Sequence, residues 1–600
     1  MMKKILFSTL AVLLLTALFS SCDKYLDKLG ENPYALYDAP AEEYIHPIVF
    51  KTEYNAINLF RNNICMLMQY GVNHGDENTS RIISNYNIEE GIIDDAWTAY
   101  YIQYGNALKM YDKAVKDNKK GLQGIALILR AMLMMQISDT YGNVPYKDAG
   151  QLALADGAGN YTTSYDDQKD IYFGIIAMFE DANSLLAEEQ AVSFNAVCDK
   201  TFNGNYEKWR RFGNSLYARA LMRVGMKVKV ESAGIIDFDD PDRDPISVTG
   251  KLAEIYSSYA LGGGNYPVMR GREDRPMIHF DKNNETEQTP FFGYTSGTWN
   301  SITACTTLCK RMLDGKVKKF EWVDSLGRVT YPFGDQELWQ ADNPTAASYT
   351  GHAPDPRYIC WFRKLNGMPT QMTHKDHVFY YDNFRSAYSK GKNFLGGSMM
   401  RGSETEKDPI WGTVHDLQNA SEYPLMQFSE LLFIFAEAGE RNYISAVSGP
   451  TDIEKLLRKA ITESILEWNT LFTENSDEVV NYVNWVLTEE LYSGATFGPA
   501  TAREAILTQK WISSFFIGIE SWCDYRRTGF PLLKTNGSVA VSNDCILPTR
   551  MRYPSDEAYR NVESYAAAVN GWLGGSNNMQ TDVWWATTDE SKTNREKGRQ

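Results

Sequence analysis

Apolar residues recur at helical spacing along most of the chain. The stretch GLQGIALILRAMLMMQISD places its apolar residues three or four positions apart, which predicts a helix with one broad buried face. Two later stretches repeat this spacing, over 171–186 and 209–224. YPLMQFSELLFIFAEAGE, residues 423–440, is apolar nearly all round, which is typical of a helix at the centre of a core. The pattern therefore predicts a predominantly helical protein.

Polar residues at the edges of these stretches indicate where helices begin and end. Ser164 and Asp167 precede the second apolar stretch, as helix-capping residues do. The pattern T-x-x-E occurs at 451–454 and at 501–504, and each occurrence predicts a capping box in front of an apolar run. Gly142, between Tyr141 and Asn143, predicts a helix stop with glycine at a left-handed cap.

The amino-acid composition of the sequence changes between about residues 230 and 420. Glycine, proline, asparagine and threonine cluster there, and aromatic residues are scattered without helical spacing. This predicts long loops with short helices and a hairpin, inserted between helical segments at about 40–230 and 420–560. The polar tail after Trp585 is interpreted as surface.

The N-terminus predicts export. Two lysines, an apolar run from Ile5 to Phe19 and the pair Ser20-Ser21 follow one another as in a secretory signal, so residues 1–21 are expected to be a signal peptide. The apolar run is shorter than the roughly 20 residues that a membrane-spanning helix needs. The next residue, Cys22, resembles the acylated cysteine of a bacterial lipobox, although Phe19 stands where leucine is usual. The alternative is a plain secreted protein in which Cys22 is incidental.

Charge and cysteine content narrow the class of protein. The formal net charge is −16, and loss of Lys3 and Lys4 with the leader would make it −18, which argues against nucleic acid as a partner. No later segment is expected to reach the length of a spanning helix. The seven further cysteines are too sparse for a disulfide scaffold. Cys305 and Cys309 are expected to share a helix face as buried side chains, with a metal pair as the less favoured alternative.

Motifs for catalysis or metal binding are weak. The sequence contains no G-x-S-x-G, H-E-x-x-H or Walker-type motif, so no enzyme class and no cofactor are predicted. His374 and His377 form an isolated HxxH. DFDDPDRDP spaces three aspartates like the start of a calcium loop, but Pro245 and Lys251 replace the glycine and glutamate that such a loop needs. A pair of glycosidase carboxylates remains open, because its members can lie far apart in the chain.

Two loop sequences combine aromatic rings with amide and guanidinium groups, the content expected of a sugar-binding site. The candidate ligand-binding residues are Arg81, Asn85 and Tyr86 in QYGVNHGDENTSRIISNYN, which also carries Tyr70 and His74, and Phe292, Tyr294, Trp299 and Asn300 in TPFFGYTSGTWNS. The alternative is that these aromatic residues pack the loops onto the core. Trp97, within a helical stretch, is expected to be buried.

Several segments, in order along the chain, resemble the SusD/RagB family of outer-membrane nutrient-binding lipoproteins. They are SCDKYLD after the leader, DTYGNVPY, KWRRFGNSLYARALMRV, DPRY, YPLMQFSELLFIFAEA, GIESWCDYRRTGFP, ILPTRMRYPSDEAYRN and TDVWWA. Within the sixth segment, Trp522, Asp524, Arg526 and Arg527 are expected to form a structural network that closes the core, with aspartate and arginine in a bidentate pair. We interpret motifs of this kind as marking the fold rather than the cargo.

The resemblance implies an all-α fold of tetratricopeptide-like helical hairpins in a right-handed superhelical scaffold, with the loop-rich insert packed against it. It also implies a lipid-anchored protein, acylated at Cys22 with palmitate or a similar chain, on the outer membrane. Such a protein binds oligosaccharides without catalysis and delivers them to a SusC-like TonB-dependent transporter. Peptide cargo, a surface glycoside hydrolase and a purely structural lid remain the alternatives.

Overall fold

The computed structural model describes most of the helical sequence and part of the insert. The residues described are 39–73, 88, 90–155, 162–281, 283–288, 290, 302–313, 318–319, 322–323, 329–330, 339–340, 355–357, 366–367, 422–447, 449–467, 472–490, 501–533 and 547–599. The fold is given below for the unit that begins at Ala41.

Helices make up most of the described residues. They are α1 Ile45–Leu59, α2 Cys65–Leu67, α3 Glu90–Lys116, α4 Lys120–Tyr141, α5 Gln151–Leu154, α6 Gln168–Glu188, α7 Tyr206–Ser232, α8 Val248–Leu261, α9 Thr306–Leu313, α10 Phe428–Glu440, α11 Pro450–Glu467, α12 Asp477–Trp485, α13 Ala502–Ser513, α14 Glu520–Thr528, α15 Glu557–Arg560, α16 Val562–Gly571 and α17 Asp589–Arg599. Short 3-10 segments lie at Ala41–Tyr44, Ala196–Cys198, Arg272–Asp274, Ser445–Val447 and Trp584–Ala586, and π-helical turns at Phe60–Ile64 and Val486–Glu490.

The strands are short and scattered. They are β1 Gly71–Asn73, β2 Ile235–Ile236, β3 Ile246–Ser247, β4 Met277–His279, β5 Ile302–Ala304, β6 Lys318–Lys319, β7 Trp322–Val323, β8 Val329–Thr330, β9 Trp339–Gln340, β10 Asn366–Gly367 and β11 Glu422–Pro424. Among the described residues they form two-stranded ladders and one three-stranded sheet in the order β10-β9-β6. The prediction of an all-α fold is confirmed.

Neighbouring helices pack as hairpins. α3 and α4 are joined by three residues and pack along each other, α4 packs on α6, α6 packs on α7, and α10 packs on α11. α4 and α10, which the sequence marks as strongly apolar, are buried along nearly their whole length, whereas α14 is polar in sequence and is also buried at every residue. Burial on this scale is the main source of stability for such a stack, because isolated helices are marginal in water.

α4 corrects one expectation from the sequence. Its 22 residues are long and apolar enough to cross a membrane by length and composition, and the other described helices do not meet that test. Most of its apolar stretch is packed inside the protein, as in the core helix of a soluble domain.

The predicted helix boundaries are partly confirmed. Thr501 precedes α13 and its side chain accepts a hydrogen bond from the backbone N–H of Glu504 at 3.1 Å, as a capping box requires. Thr451 is not a cap, because α11 begins one residue earlier at Pro450, a favourable first helical residue. Asp167 occupies the cap position of α6 without a side-chain cap bond.

A residue from another element caps α6 instead. The Asn143 side chain accepts a hydrogen bond from the backbone N–H of Gln168 at 3.0 Å and donates one to Asp167 at 2.8 Å. Asn143 follows Gly142, which ends α4 as predicted, but with a φ of +91° and a ψ of −122° Gly142 does not adopt the predicted left-handed cap conformation. The end of one helix thereby fixes the beginning of the next.

Residues 230–420 are only partly loop in the described portion. β2 and β3 form the predicted hairpin, and α8 follows directly with its N-terminus capped by Ser247. β4 pairs with β11, which leads into the central helix α10, so a strand within the insert is held beside the strand that follows the insert. His374 and His377 lie outside the described residues, as does most of the insert.

The interpretation of the C-terminal tail as surface is wrong. Residues 589–599 form α17, which packs against α14. Ser591, Asn594 and Arg595 are buried, and the Asn594 side chain donates a hydrogen bond to the Thr528 carbonyl at 2.9 Å. The error has a simple cause: these contacts are polar, so hydrophobic spacing does not reveal them.

The predicted network around α14 is buried and structural. Arg526 lies against the ring of Trp522, with its guanidinium carbon 3.5 Å from the ring centroid, and donates to the backbone carbonyl of Asp139 at 2.7 Å. Arg527 forms its bidentate pair with Glu437 of α10, at 2.7 Å for both bonds, and a single bond with Asp524 at 2.9 Å. The predicted pairing of aspartate with arginine is therefore corrected, since the bidentate acceptor is a glutamate.

Candidate functional site

The structure brings together the ends of the two loops that the sequence singles out. β1 pairs antiparallel with β5, with Asn73 opposite Ile302 and Gly71 opposite Ala304. The first loop sequence continues directly from Asn73, and the second ends directly before Ile302. Because the chain is continuous, the first loop begins and the second loop ends at one two-stranded ladder. This is the candidate functional site.

An aromatic stack between Tyr70 and Trp511 connects this ladder to the helical core. The ring of Tyr70, which immediately precedes β1, lies parallel to that of Trp511 in α13, with centroids 4.8 Å apart and an interplanar angle of 9°. The Tyr70 hydroxyl donates to the Trp511 carbonyl, and the Trp511 indole N–H donates to the Met68 carbonyl at 3.1 Å. A stack with both polar tips satisfied holds the first strand on the helical core.

Backbone bonds of Tyr70 link the two strands to a pair of buried cysteines. The Tyr70 N–H donates to the Cys65 carbonyl, and its carbonyl accepts from the Cys305 N–H, both at 2.9 Å. Both cysteines are buried, and burial, with a smaller effect of Cys305, raises the pKa of the Cys65 thiol well above its ordinary value. Cys305 is buried as predicted, but it precedes α9, which begins at Thr306, rather than lying on a helix.

Two more contacts tie the second loop to the helices. The Thr307 hydroxyl, in the first turn of α9, donates to the Gln69 amide oxygen at 2.6 Å. At the other end, the Arg61 guanidinium donates to the carbonyl of Pro290, just before the second loop. The ladder, the beginning of the first loop and both ends of the second loop are therefore held by contacts with the π-helical turn Phe60–Ile64, α9 and α13.

The candidate ligand-binding residues themselves lie outside the described residues, and they remain predictions. They are Arg81, Asn85, Tyr86, Phe292, Tyr294, Trp299 and Asn300. Cys22, the signal peptide 1–21 and His74 also lie outside, as does the side chain of Cys309.

Two aromatic residues named with these loops can be placed. Tyr70 is fully buried, so at this position the aromatic ring packs into the core rather than facing a ligand. Trp97 is buried as predicted, with an edge-on contact to Tyr141 at a centroid distance of 4.9 Å.

Polar groups of the acidic stretch at 237–244 make contacts with α6 and with one another. Arg243 donates to both carboxylate oxygens of Asp181 at 2.8 and 3.0 Å, and the backbone N–H of Asp242 donates to the side chain of Asp240 at 3.1 Å. Within the described ranges, no three His, Cys, Asp or Glu side chains group so that they can hold a metal ion. The calcium alternative therefore gains no support from this stretch.

Sequence analysis did not find the elements that support the site. Trp511 and Tyr70 are separated by 441 residues, and Thr307 and Gln69 by 238. The two loop sequences share aromatic and amide groups, and this shared content is the signal in a single sequence that relates them.

Comparisons with known proteins agree with this fold. A family model for SusD-like proteins, described as "Starch-binding associating with outer membrane", matches residues 33–235 and 354–554. None of the curated proteins matches the chain.

Solved structures share the fold at low sequence identity. A SusD homologue from Parabacteroides distasonis superposes with a TM-score of 0.63 at 17% identity, covering 91% of this chain and 97% of that one. A SusD homologue from Bacteroides fragilis gives 0.60 at 18%, covering 90% and 100%, and a chitin-binding SusD homologue from Flavobacterium johnsoniae gives 0.59 at 19%, covering 90% and 98%.

Proposed function

The chain belongs to the SusD-like family, and from that premise we propose that it is a cell-surface lipoprotein that captures oligosaccharides and delivers them to a SusC-like TonB-dependent transporter. The family match carries the proposal, because it spans both helical segments and most of the sequence. The family description as starch-binding and the chitin-binding relative both favour a glycan as cargo. We propose binding without catalysis, in keeping with the absence of a recognisable catalytic motif in the sequence.

The proposed ligand site consists of the two loops that leave the β1–β5 ladder. Tyr294 and Trp299 would stack against sugar rings, and Phe292 and Tyr86 would add apolar surface. The polar partners for hydroxyl groups would be Arg81, Asn85 and Asn300. The rigid support of Tyr70 by Trp511 favours this placement, because a preorganised platform loses less entropy when it binds a ligand.

Affinity electrophoresis in gels that contain soluble starch or glycol chitin tests the ligand site. We expect wild-type protein to be retarded by at least one polymer, and Trp299→Ala and Tyr294→Ala each to lose most of the retardation. Trp584→Ala is the matched control, because Trp584 belongs to a short 3-10 helix near the C-terminus and its indole donates to Glu231 at 3.2 Å. Undiminished retardation of both variants would exclude these loops as the site.

The same gels separate the alternatives. Retardation by casein peptides immobilised in the gel, but not by polysaccharide, would favour peptide cargo. Release of reducing ends from the retained polymer would favour a glycoside hydrolase. No retention by any polymer would favour a structural lid.

The anchor and the partner need separate experiments. We propose that Cys22 is acylated after removal of residues 1–21, which mass spectrometry of the mature N-terminus detects as a lipid-modified cysteine. Cys22→Ser is expected to leave the protein out of the outer-membrane fraction, since acyl chains are what hold it there. Co-purification of a TonB-dependent barrel with wild-type protein from detergent-solubilised outer membranes tests the partner.

A further inference from the structure

A small aromatic cavity lies at the N-terminal end of α3. Its volume is about 190 Å³, and every residue that lines it is described. Glu90 and Asp94 of α3 form one wall, and Arg552, Tyr559 and Tyr565 belong to the C-terminal segment opposite. The cavity is smaller than the roughly 300 to 1,000 Å³ of drug-sized pockets, so it suits a single ring.

The floor of the cavity is rigid. Tyr553 is buried, its hydroxyl donates to the Asn143 carbonyl at 2.6 Å, and the guanidinium carbon of Arg550 lies 4.3 Å from its ring centroid. The Asn577 side chain accepts from the Tyr553 N–H at 3.0 Å and donates to the Tyr553 carbonyl at 2.9 Å. Because these contacts hold both the side chain and the backbone of Tyr553, the floor needs no rearrangement when a ligand enters.

The mouth of the cavity exposes an aromatic ring to solvent. Tyr559, on the short helix α15, is 81% exposed, and the other strongly exposed large hydrophobic side chains of the described residues are aliphatic. Tyr565, on α16, is half-buried, and its ring lies 6.3 Å from that of Tyr553 at 68°. Rings presented this way offer flat apolar surfaces for stacking.

The polar groups of the cavity include both donors and acceptors. The Arg552 Nε is buried and has no hydrogen-bond partner among the described residues, while its terminal nitrogen lies 3.6 Å from Glu90. The carboxylates of Glu90 and Asp94 both line this wall, and burial, with Glu90, Asp556 and Asp95 adding to it and Arg552 opposing it, raises the pKa of Asp94. Hydroxyl groups that donate to carboxylates and accept from a guanidinium match this arrangement.

We propose that this cavity is a second carbohydrate subsite, which takes one neutral or amino hexose ring and rejects uronic acids. The inference rests on the proposed function, since it assigns a further contact for the same class of ligand. One face of the ring stacks on Tyr559 or Tyr565, and its hydroxyl groups contact Arg552 and Asp94. A uronate carboxylate is excluded because it would lie beside Glu90 and Asp94.

Saturation-transfer NMR on the detergent-solubilised full chain tests this subsite with three probes: methyl glucoside, glucosamine and glucuronate. We expect transfer to the first two sugars and roughly tenfold weaker binding of glucuronate. Tyr559→Ala and Tyr565→Ala should each weaken methyl glucoside binding by about fivefold, the typical worth of one aromatic contact. Asp94→Asn should narrow the discrimination against glucuronate.

The controls distinguish this subsite from the loops. Tyr111→Ala, on the same helix but about 25 Å from Asp94 along its axis, should bind like wild-type protein. Because Tyr559 is exposed, Tyr559→Ala should keep the wild-type melting temperature, so its loss of binding cannot come from unfolding. Trp299→Ala and Tyr294→Ala should leave monosaccharide transfer unchanged. If both variants are retarded in the gel as strongly as wild-type protein, the loop site is refuted and the proposed subsite is unaffected.

Three results would overturn the subsite: no transfer to any of the three sugars, unchanged binding in both tyrosine variants, or glucuronate bound as tightly as methyl glucoside.

Discussion

Glu53 is expected to make the stability of the protein fall as the pH rises. It lies in α1, is buried, and is close to the paired Arg219 and Glu520, whose nearest atoms are 3.5 Å apart. Burial raises the pKa of Glu53 to about 8 from its ordinary value of 4.5; Arg219 opposes the rise and Glu520 adds to it. The carboxyl group is therefore mostly protonated in the folded protein at neutral pH, whereas it is ionised in the unfolded chain.

The size of the effect follows from proton linkage. Between pH 4.5 and pH 8 the folded protein holds a proton at Glu53 that the unfolded chain has lost. The stabilising contribution is complete below pH 4.5 and is lost as the pH rises through 8. Between pH 6 and pH 9 this loss is about 3 kcal/mol, since each unit of difference in pKa corresponds to about 1.4 kcal/mol.

Urea denaturation at pH 6 and at pH 9 measures this loss. Glu53→Gln keeps the shape of the protonated side chain and cannot ionise, so the variant should lose about 3 kcal/mol less than wild-type protein over this range. Glu563→Gln, at an exposed glutamate in α16, is the control and should follow wild-type protein. Parallel pH profiles for wild-type protein and Glu53→Gln would refute the reasoning.

Three further changes test the packing of the core. Arg527→Lys replaces the bidentate partner of the buried Glu437 carboxylate with a single ammonium group and should lower the free energy of unfolding by about 3 kcal/mol in urea titrations. An unchanged urea midpoint would contradict this prediction. Gly142→Ala places a Cβ 1.9 Å from the Trp572 ring at a φ of +91°, so calorimetry should show a destabilisation of about 2 to 4 kcal/mol; a wild-type melting temperature would contradict this. Deletion of residues 589–600 removes α17 from α14 and should increase the rate of cleavage by trypsin, whereas an unaltered rate would show that the helix contributes nothing.

The sequence is sufficient to predict the helical class because burial leaves a periodic trace. α4 and α10 are the clearest examples, since most of their buried residues are apolar, although α10 also buries Glu430 and Glu437. The capping pattern is more ambiguous. The same T-x-x-E sequence caps α13 at Thr501 but lies inside α11 at Thr451, because Pro450 starts that helix earlier.

Polar interactions between distant segments leave no such trace. The partner of Arg527 is Glu437, ninety residues away, although Asp524 is three residues away and looks equally suitable. For the same reason, the loop sequences predict the chemistry of the candidate site but not the ladder that joins them. Pairing of Asn73 with Ile302 depends on tertiary contacts that no local pattern encodes.

The buried ion pairs are better understood as fixing helix orientation than as a source of stability, because desolvation offsets most of their attraction. Arg219 of α7 forms a bidentate pair with Glu430 of α10 at 2.7 Å, and Arg527 of α14 pairs with Glu437, about two helical turns farther along α10. Burial alone would raise the pKa of Glu437, but Arg527 and Arg441 hold it well below its usual value, so its charge is retained. α10 in turn packs on α13, whose Trp511 supports Tyr70. The ion pairs orient α10, α10 packs on α13, and α13 holds Tyr70 at the base of the ladder. The arrangement of charges in the core therefore sets the position of the ladder at which the first loop begins and the second loop ends.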